Sequence, residues 1–339
     1  MSKIGFAVIG AGLWGEIHAR VFSAIEGACL VGIYDSLPDR ARLLADSLGT
    51  ASYSNFEDLL ADERVHAVSI ATPDFAHSEV ALCAIRAGKH VLVEKPMATK
   101  NKECEEMLQA AEDQGVKLMV DFHTRWSPPF VKAWQSIRNG DIGEPQHMYL
   151  RLNDRIEVPT KMLSWSSRST VGWFIGTHSV DTVRWLIGDE VQRVFAVSRS
   201  RVLRSMGIDT PDFFQMVLEF KNGATAVVEN SWILPNSTPN IVDLKCEIIG
   251  SKGSVYIDGS HHRMVEKYTE AEGSFPDVTV MPKIYGKQMG YAAESIRDFA
   301  DCVIHDRQLK ATGRDGLEVT KVLVAMEESV KTGLPVDIG

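Results

Sequence analysis

The sequence predicts an α/β Rossmann domain followed by a C-terminal α+β domain built on a large, mostly antiparallel sheet. Three observations carry that prediction. At 339 residues the chain is too long for one ordinary hydrophobic core and suits two. Its N-terminal third alternates short apolar runs with stretches of helical period, the pattern of a parallel sheet with crossover helices. After Pro128-Pro129 the texture changes to long alternating strands joined by tight turns.

In the N-terminal region Ile4–Ile9, Leu30–Tyr34, Ala67–Ala71, His90–Val93 and Lys117–Val120 read as strands. Leu13–Ala24, Asp39–Ser47, Phe56–Ala61, His77–Ala87 and Lys102–Gln114 read as the helices between them. Asn55 stands where it can cap the helix containing Asp58, and Gly88 and Gly115 fall just past helix ends, where a left-handed residue is needed. Further along, a single helix follows the two prolines. Strands are then expected at Gln146–Arg155, Val191–Arg201, Phe213–Phe220, Thr225–Trp232, Asp243–Ile249 and Ser254–Ile257, with Asn222-Gly223 and Lys252-Gly253 as tight turns. Ile233–Asn240 and Met264–Lys287 read as longer loops, and helices at Tyr291–Ile304 and Arg314–Lys331 close the chain. The domain division falls at residues 1–124 and 125–339.

Composition narrows the partners. A formal net charge of −9 opposes a general nucleic-acid or anionic-membrane surface, since both reward clustered Lys and Arg. A small-molecule partner fits better. Cys29, Cys83, Cys104, Cys246 and Cys302 are odd in number and never in C-x-x-C spacing, which points to a reduced, cytoplasmic compartment. Gly10, Gly12 and Gly15, with Glu16, His18 and Arg20 close behind, make the start a strand and turn rather than a targeting segment. No run reaches the ~18 apolar residues that a membrane span requires.

Gly10-Ala11-Gly12-Leu13-Trp14-Gly15 directly follows the first strand and opens the first helix. That context supplies what a dinucleotide needs: a tight turn, backbone close to a pyrophosphate, and helix N–H groups pointing at the anion. A glycine turn that only packs helix on strand is the plainer alternative. The second strand ends at Tyr34-Asp35, where a carboxylate can bind an adenosine ribose and disfavour a 2′-phosphate; Arg40 could serve that phosphate only by reaching past it. NAD is the cofactor this predicts.

Ala71-Thr72-Pro73-Asp74-Phe75-Ala76-His77 and Glu94-Lys95-Pro96 follow two further strands, at the carboxyl ends where open parallel sheets bind ligands. Val120-Asp121-Phe122-His123-Thr124-Arg125 ends the first domain, and Gly176-Thr177-His178-Ser179-Val180-Asp181 opens a later helix. Together these segments make nearly the whole chain resemble the glucose-fructose oxidoreductase, inositol dehydrogenase and rhizopine-catabolism family, written Gfo/Idh/MocA. The resemblance implies an open-faced second sheet, a nicotinamide held in the cleft, and a homodimer or homotetramer formed through the outer face of that sheet. It implies that Lys95 meets the substrate hydroxyl, that His178 is the acid/base histidine and that Pro96 is cis. Thr72, Pro73, His77 and Glu94 then line the nicotinamide and its ribose, with Ala71, Leu13 and Trp14 completing the cofactor set. His123, Arg125, Trp165, Arg168 and Phe174 join Lys95 and His178 on the substrate side.

One departure stands out. Relatives often carry a glycine run and then an aspartate four residues before the histidine, whereas here those places read Arg168-Ser169-Thr170 and Phe174. His178 must therefore be oriented by another group, and Asp181 and His123 are the candidates.

Oxidising an alcohol removes an O–H proton while a hydride leaves the same carbon, so a positioned base and a nicotinamide divide the work. Lys95 and His178 suit the proton, with Asp181 as a third candidate. Set against this are a solvated Lys95, a core or capping His178, and an Asp181 that only braces the histidine. The resulting expectation is an NAD-dependent dehydrogenase acting on a polyhydroxylated sugar, sugar acid or cyclitol. Two rivals are an NAD-dependent glycoside hydrolase working by transient oxidation, and a dinucleotide-binding regulator without turnover. No metal is expected: His261-His262 lacks partners at ligand spacing and reads as a polar loop. Trp165, Trp173 and Trp185 read chiefly as packing aromatics, and Arg199, Arg201 and Arg204 as a solvated strand face.

Overall fold

The computed structural model describes residues 3–260, 264–270 and 273–339, so His261-His262 lies outside the described residues. The chain forms two compact units, Met1–Trp126 with Thr279–Leu317, and Ser127–Val278 with Glu318–Gly339. Among the described residues no helix is long and apolar enough to cross a membrane.

In the first unit six parallel strands, β1 (Ile4–Ile9), β2 (Ala28–Tyr34), β3 (Ala51–Tyr53), β4 (Ala67–Ile70), β5 (His90–Val93) and β6 (Leu118–Val120), pair in the order β3-β2-β1-β4-β5-β6. This is the Rossmann order, with a switch point between β1 and β4. The central strands are near-continuous apolar runs because both sheet faces are covered: Phe6, Ala7, Val8, Val91, Leu92 and Val93 are fully buried. Helices α1 (Leu13–Ala24), α2 (Pro38–Leu48), α3 (Phe56–Ala61), α4 (His77–Arg86) and α5 (Asn101–Gln114) make the crossovers. The Asn55 side chain accepts from Glu57 N–H at 2.9 Å, and Gly88 and Gly115 adopt φ of 73° and 62°, as the cap pattern predicts. The edge strand β3 has no counterpart in the sequence reading. It is short and mostly exposed, so no apolar period marks it.

The first unit also takes in a late segment that a single cut in the sequence does not express. Phe6 of β1 stacks on Phe22 of α1 at 4.7 Å and meets Phe299 edge-on at 6.3 Å. Phe299 belongs to a helix, Tyr291–Ile304, whose face of Ala292, Ala293, Ile296, Phe299 and Ala300 is wholly buried. Burying that face draws Thr279–Leu317 back onto the Rossmann sheet.

The second unit begins with α6 (Pro128–Arg138), continues through β7 (Pro145–Arg155), α7 (Thr177–Ile187), β8 (Val191–Arg199), α8 (Val202–Ser205), β9 (Phe213–Phe220), β10 (Thr225–Leu234), β11 (Val242–Gly250) and β12 (Ser254–Asp258), and ends after the strand Val336–Asp337. The sheet order is β12-β11-β7-β10-β9-β8 followed by that last strand. All pairings are antiparallel except β7 with β10, so the sheet is mixed. One face buries Met148, Leu150, Met216, Leu218, Val228 and Ile248 on the side where α7 packs on β7 and β10. On the opposite face one in-register row crosses the strands: Phe195, Val217, Val227, Tyr149, Glu247 and Tyr256.

Two boundaries are corrected. The strand expected to reach Arg201 stops at Arg199, because the buried Asp212 carboxylate takes the N–H groups of Arg201, Val202 and Leu203 at 2.7–2.9 Å and turns the chain into α8. The loop expected over 264–287 carries short strand pairs, Lys267–Tyr268 with Gly273–Ser274 and Lys283–Ile284 with Lys287–Gln288. Arg199, Arg201 and Arg204 are exposed, Arg204 pairing with Asp209.

Candidate active site

The loop between β1 and α1 shows why three glycines stand there. Gly10 has φ +100°, and a Cβ on it would lie 2.5 Å from the Ala71 carbonyl oxygen. A Cβ on Gly15 would lie 1.7 Å from the Gly10 carbonyl oxygen. Both are fixed by packing. Gly12, at the N-cap of α1, is different: a Cβ there would meet nothing within 4 Å, so its hydrogen keeps clear the space before the helix N-terminus where a pyrophosphate would lie. Asp35 ends β2 with Oδ2 accepting from Ala11 N–H at 2.7 Å and Oδ1 from Leu37 N–H at 2.8 Å. Each oxygen keeps acceptor capacity for a ribose hydroxyl. Leu13 and Arg40 are exposed and Trp14 half-buried. An open glycine, a helix N-terminus and a carboxylate at the end of β2 fit a dinucleotide.

The loops after β4 and β5 are tied together. His77, the first residue of α4, lies with Nδ1 2.6 Å from the Pro96 carbonyl and Nε2 2.8 Å from the Thr72 carbonyl. Its imidazole thus braces the Thr72-Pro73 turn against Glu94-Lys95-Pro96, whose Lys95–Pro96 bond is cis. Sequence reasoning put His77 beside the nicotinamide and did not foresee the brace. Behind Lys95 a buried cluster gathers. His18 of α1 places Nδ1 2.6 Å from Ser69 Oγ, Nε2 3.2 Å from Glu94 Oε1 and the same Nε2 3.5 Å from Asp121 Oδ2. Asp121 Oδ1 lies 2.6 Å from Ser295 Oγ. One donor atom from each of His18, Glu94 and Asp121 lies within 4.8 Å of the others, which is also a spacing that a metal would accept. His123 stacks on Trp14 at 5.2 Å and lies 5.7 Å from Tyr291, while Arg125 is engaged by Asp315 at 3.0 Å and by the Lys310 carbonyl at 2.6 Å.

In the second unit a π-helical turn over Gly172–Gly176 leads into α7, which carries His178 and Asp181, both buried. Gly176 lets Asn230 approach: a Cβ there would be 3.1 Å from Asn230 Oδ1, and Asn230 Nδ2 donates to Ser179 Oγ at 2.8 Å and to the Leu152 carbonyl at 3.0 Å. Phe174 stands edge-on to Trp165 at 6.1 Å and 6.3 Å from Trp232, so the position four residues before His178 belongs to an aromatic cluster. Trp173 donates to Glu327 at 2.7 Å and Trp185 stacks on Trp134, both as packing residues. Arg168 is exposed in the short turn Ser166–Arg168.

Residues 4–122 match the oxidoreductase family with an NAD-binding Rossmann fold, and residues 130–256 match the GFO/IDH/MocA C-terminal domain. The chain belongs to the Gfo/Idh/MocA family. It is 29% identical to the scyllo-inositol 2-dehydrogenase (NAD(+)) of Bacillus subtilis (strain 168), over 99% of this chain and 96% of that protein. It is 31% identical to the myo-inositol 2-dehydrogenase of Thermotoga maritima, over 74% of each. The structure of GenD2 from gentamicin A biosynthesis in complex with NAD superposes with a TM-score of 0.89 at 25% identity, covering 100% of this chain and 97% of that one. As a Gfo/Idh/MocA protein the chain is an NAD-dependent oxidoreductase, and nicotinamide supplies a hydride acceptor or donor when bound.

The electrostatics of this Gfo/Idh/MocA site centre on the cluster behind Lys95. Burial opposes charge on Glu94, but the hydrogen bond from His18, then the charges of His18 and Lys95, hold its carboxyl below the usual range. For Asp121, burial and then the adjacent Glu94 charge push the carboxyl up to about 7. Burial pushes the His123 imidazole down to about 4. His18, Ser69, Ser295 and Tyr291 were not among the site residues read from the sequence. Only the position of His18 on the inner face of α1, opposite the strand ends, could have flagged one of them.

Proposed function

We propose that this chain is an NAD-dependent dehydrogenase that oxidises a hydroxyl carbon of a cyclitol, or of a sugar or sugar acid of like shape, with Lys95 and His178 handling the proton. The observation that carries the reading is Lys95 itself. It is a lysine only 8% exposed, at the carboxyl end of β5 beside a dinucleotide loop, where an ordinary lysine would be solvated. Inositol dehydrogenases among the relatives supply the substrate class. In this reading Lys95 meets the reacting hydroxyl and takes its proton, while His178 serves as the second proton group, with Asp181 beside it on α7. The apolar side of the site falls to Phe174 and Trp165. Inositols, sugars and sugar acids incubated with NAD should give net nucleotide reduction and a keto product; a cleaved glycoside without net reduction would replace this function with the hydrolytic one.

NAD is expected to be preferred over NADP. A 2′-phosphate near Asp35 would set two like charges side by side, worth up to about 4 kcal/mol at 4 Å and an effective dielectric of 20. Asp35→Ser should narrow the ratio of specificity constants for the two cofactors; an unchanged ratio would remove Asp35 from this role.

A homodimer or homotetramer is proposed, formed through the outer face of the second-unit sheet. The row from Phe195 to Tyr256 leaves Phe195, Val217, Val227 and Tyr256 38–67% exposed, an apolar stripe costly to leave in water. Light scattering should give an oligomeric mass that Val217→Glu with Val227→Glu lowers, and a monomer before substitution would contradict it. Five cysteines that form no disulfide among the described residues support a cytoplasmic site of action.

A further inference from the structure

Asp121 has no role in the assignments above, yet it is fully buried within the best-defined polar cluster of the first unit. Proton accounting fixes its form. If Ser69 donates to His18 Nδ1, Nε2 carries the hydrogen that Glu94 Oε1 accepts, and Glu94 Oε2 accepts Lys95 N–H at 3.2 Å. Ser295 Oγ lies 2.6 Å from Asp121 Oδ1 and 2.9 Å from the Ala292 carbonyl. A hydroxyl has one proton and a carbonyl can only accept. That proton goes to Asp121 Oδ1 at the shorter contact, but Asp121 Oδ2 receives none. The single hydrogen on His18 Nε2, 3.5 Å away, is taken by Glu94 Oε1 at 3.2 Å, so the buried Oδ2 has no donor among the described residues and is assigned its own proton, as a carboxylic acid. Glu94 points to the same answer: it is 4% exposed, with an oxygen within 4.8 Å of one from Asp121, and two charges that close and that dry repel strongly.

We propose that Asp121 is a positioning residue of the hydride-transfer site: as a carboxylic acid it leaves Glu94 the only buried anion of the cluster, fixed between His18 and the Lys95 amide. The proposal rests on the reading of Glu94 and Lys95 as cofactor and substrate residues. The groups acting on Asp121 are His18 from α1, Glu94 and Lys95 from the loop after β5, and the Ser295 hydroxyl from the helix Tyr291–Ile304, with His123 two residues on; the helix's own charges are paired, Glu294 with Arg297, Asp298 with Lys310 and Asp301 with Arg307. Below about pH 7 Asp121 keeps its proton; above it a second anion competes with Glu94 for His18 and loosens the segment that carries Lys95.

The test uses the whole protein and NADH as the probe. Fluorescence titration should show affinity falling as pH rises past about 7, by up to tenfold per pH unit, the slope of one coupled proton. Asp121→Asn, which keeps the shape and cannot ionise, should lose that limb, and it should bind NADH about tenfold or more tightly than Asp121→Ala. A limb that persists in Asp121→Asn, or equal affinities for the Asn and Ala variants, overturns the proposal. So does a metal ion that copurifies in stoichiometric amount and is lost with Asp121→Asn. Should the variants not fold, infrared spectra of the unaltered protein decide: a buried carboxylic-acid band must be present below neutrality and titrate away above it. Lys95→Met separates the two readings, since full turnover in that variant would sink the lysine assignment and leave the NADH limb in place.

Discussion

Lys95→Met is expected to fold and bind NADH while losing at least ~100-fold in turnover, the usual scale of help from a positioned proton-transfer group. Methionine has nearly the same length and fills the same largely buried volume without a charge or a proton. The elements proposed to bind cofactor lie elsewhere: the Gly10–Gly15 loop, Asp35, and Glu94, whose hydrogen bonds to His18 and to the Lys95 backbone N–H do not depend on the Lys95 side chain. Binding and chemistry should therefore separate, with NADH fluorescence little changed and single-turnover reduction of NAD nearly abolished. Near-normal turnover on the true substrate would transfer the proton to His178 or to another group.

A second large effect is expected in stability rather than rate. The unfolded chain takes up a proton on a histidine near 6.5, whereas His123 in the folded protein does so only at about 4, so this residue costs stability as pH falls through that window. Asp121 works in the opposite direction. Its carboxyl ionises near 3.8 when unfolded and at about 7 when folded, so it costs stability as pH rises through that range. Each slope is about 1.4 kcal/mol per pH unit, and between about 4 and 6.5 they oppose each other. Urea unfolding of Asp121→Asn should then show stability falling toward acid pH, and that of His123→Asn should show it falling toward neutral pH. All other groups contribute equally to both variants, so the difference between them should reach about 3 kcal/mol or more across the window. Parallel pH curves would show that neither group is buried in the form described.

How much of this was legible in the sequence varies with the kind of information involved. The strands and helices of the first unit follow from apolar periodicity and from glycines with a mechanical reason to be where they are, and Leu13–Ala24 and Phe56–Ala61 are observed with the predicted bounds. The edge strand Ala51–Tyr53 was hidden because an exposed, three-residue strand writes no period. Arg201 read as strand because nothing local announces that Asp212, eleven residues on, will cap its N–H. The cofactor loop and the Lys95 segment stood out as contiguous motifs. By contrast, the cluster of His18, Ser69, Glu94, Asp121 and Ser295 is assembled from strands, loops and two helices far apart in sequence, and each member alone reads as an ordinary polar residue. Phe174 was legible as a departure from the family pattern, but its aromatic neighbours Trp165 and Trp232 were not.

The glycine contacts of the nucleotide loop make it one end of a kinematic chain. Gly15 bears on the Gly10 carbonyl, Gly10 bears on Ala71, Ala71 continues into Thr72, and His77 links the Thr72 carbonyl to that of Pro96, next to Lys95. The two glycine links are backbone contacts with no slack for a methyl group. Displacement at the start of α1 is therefore transmitted to the lysine segment without passing through any ligand. Engineering of cofactor preference has one lever outside that linkage, the exposed Arg40 on α2, whereas Asp35 is coupled to it through Ala11 N–H. Changes at Arg40 should retune the adenosine end and leave the geometry of Lys95 alone, while a bulkier residue at Gly15 should be felt at Lys95 before any cofactor has bound.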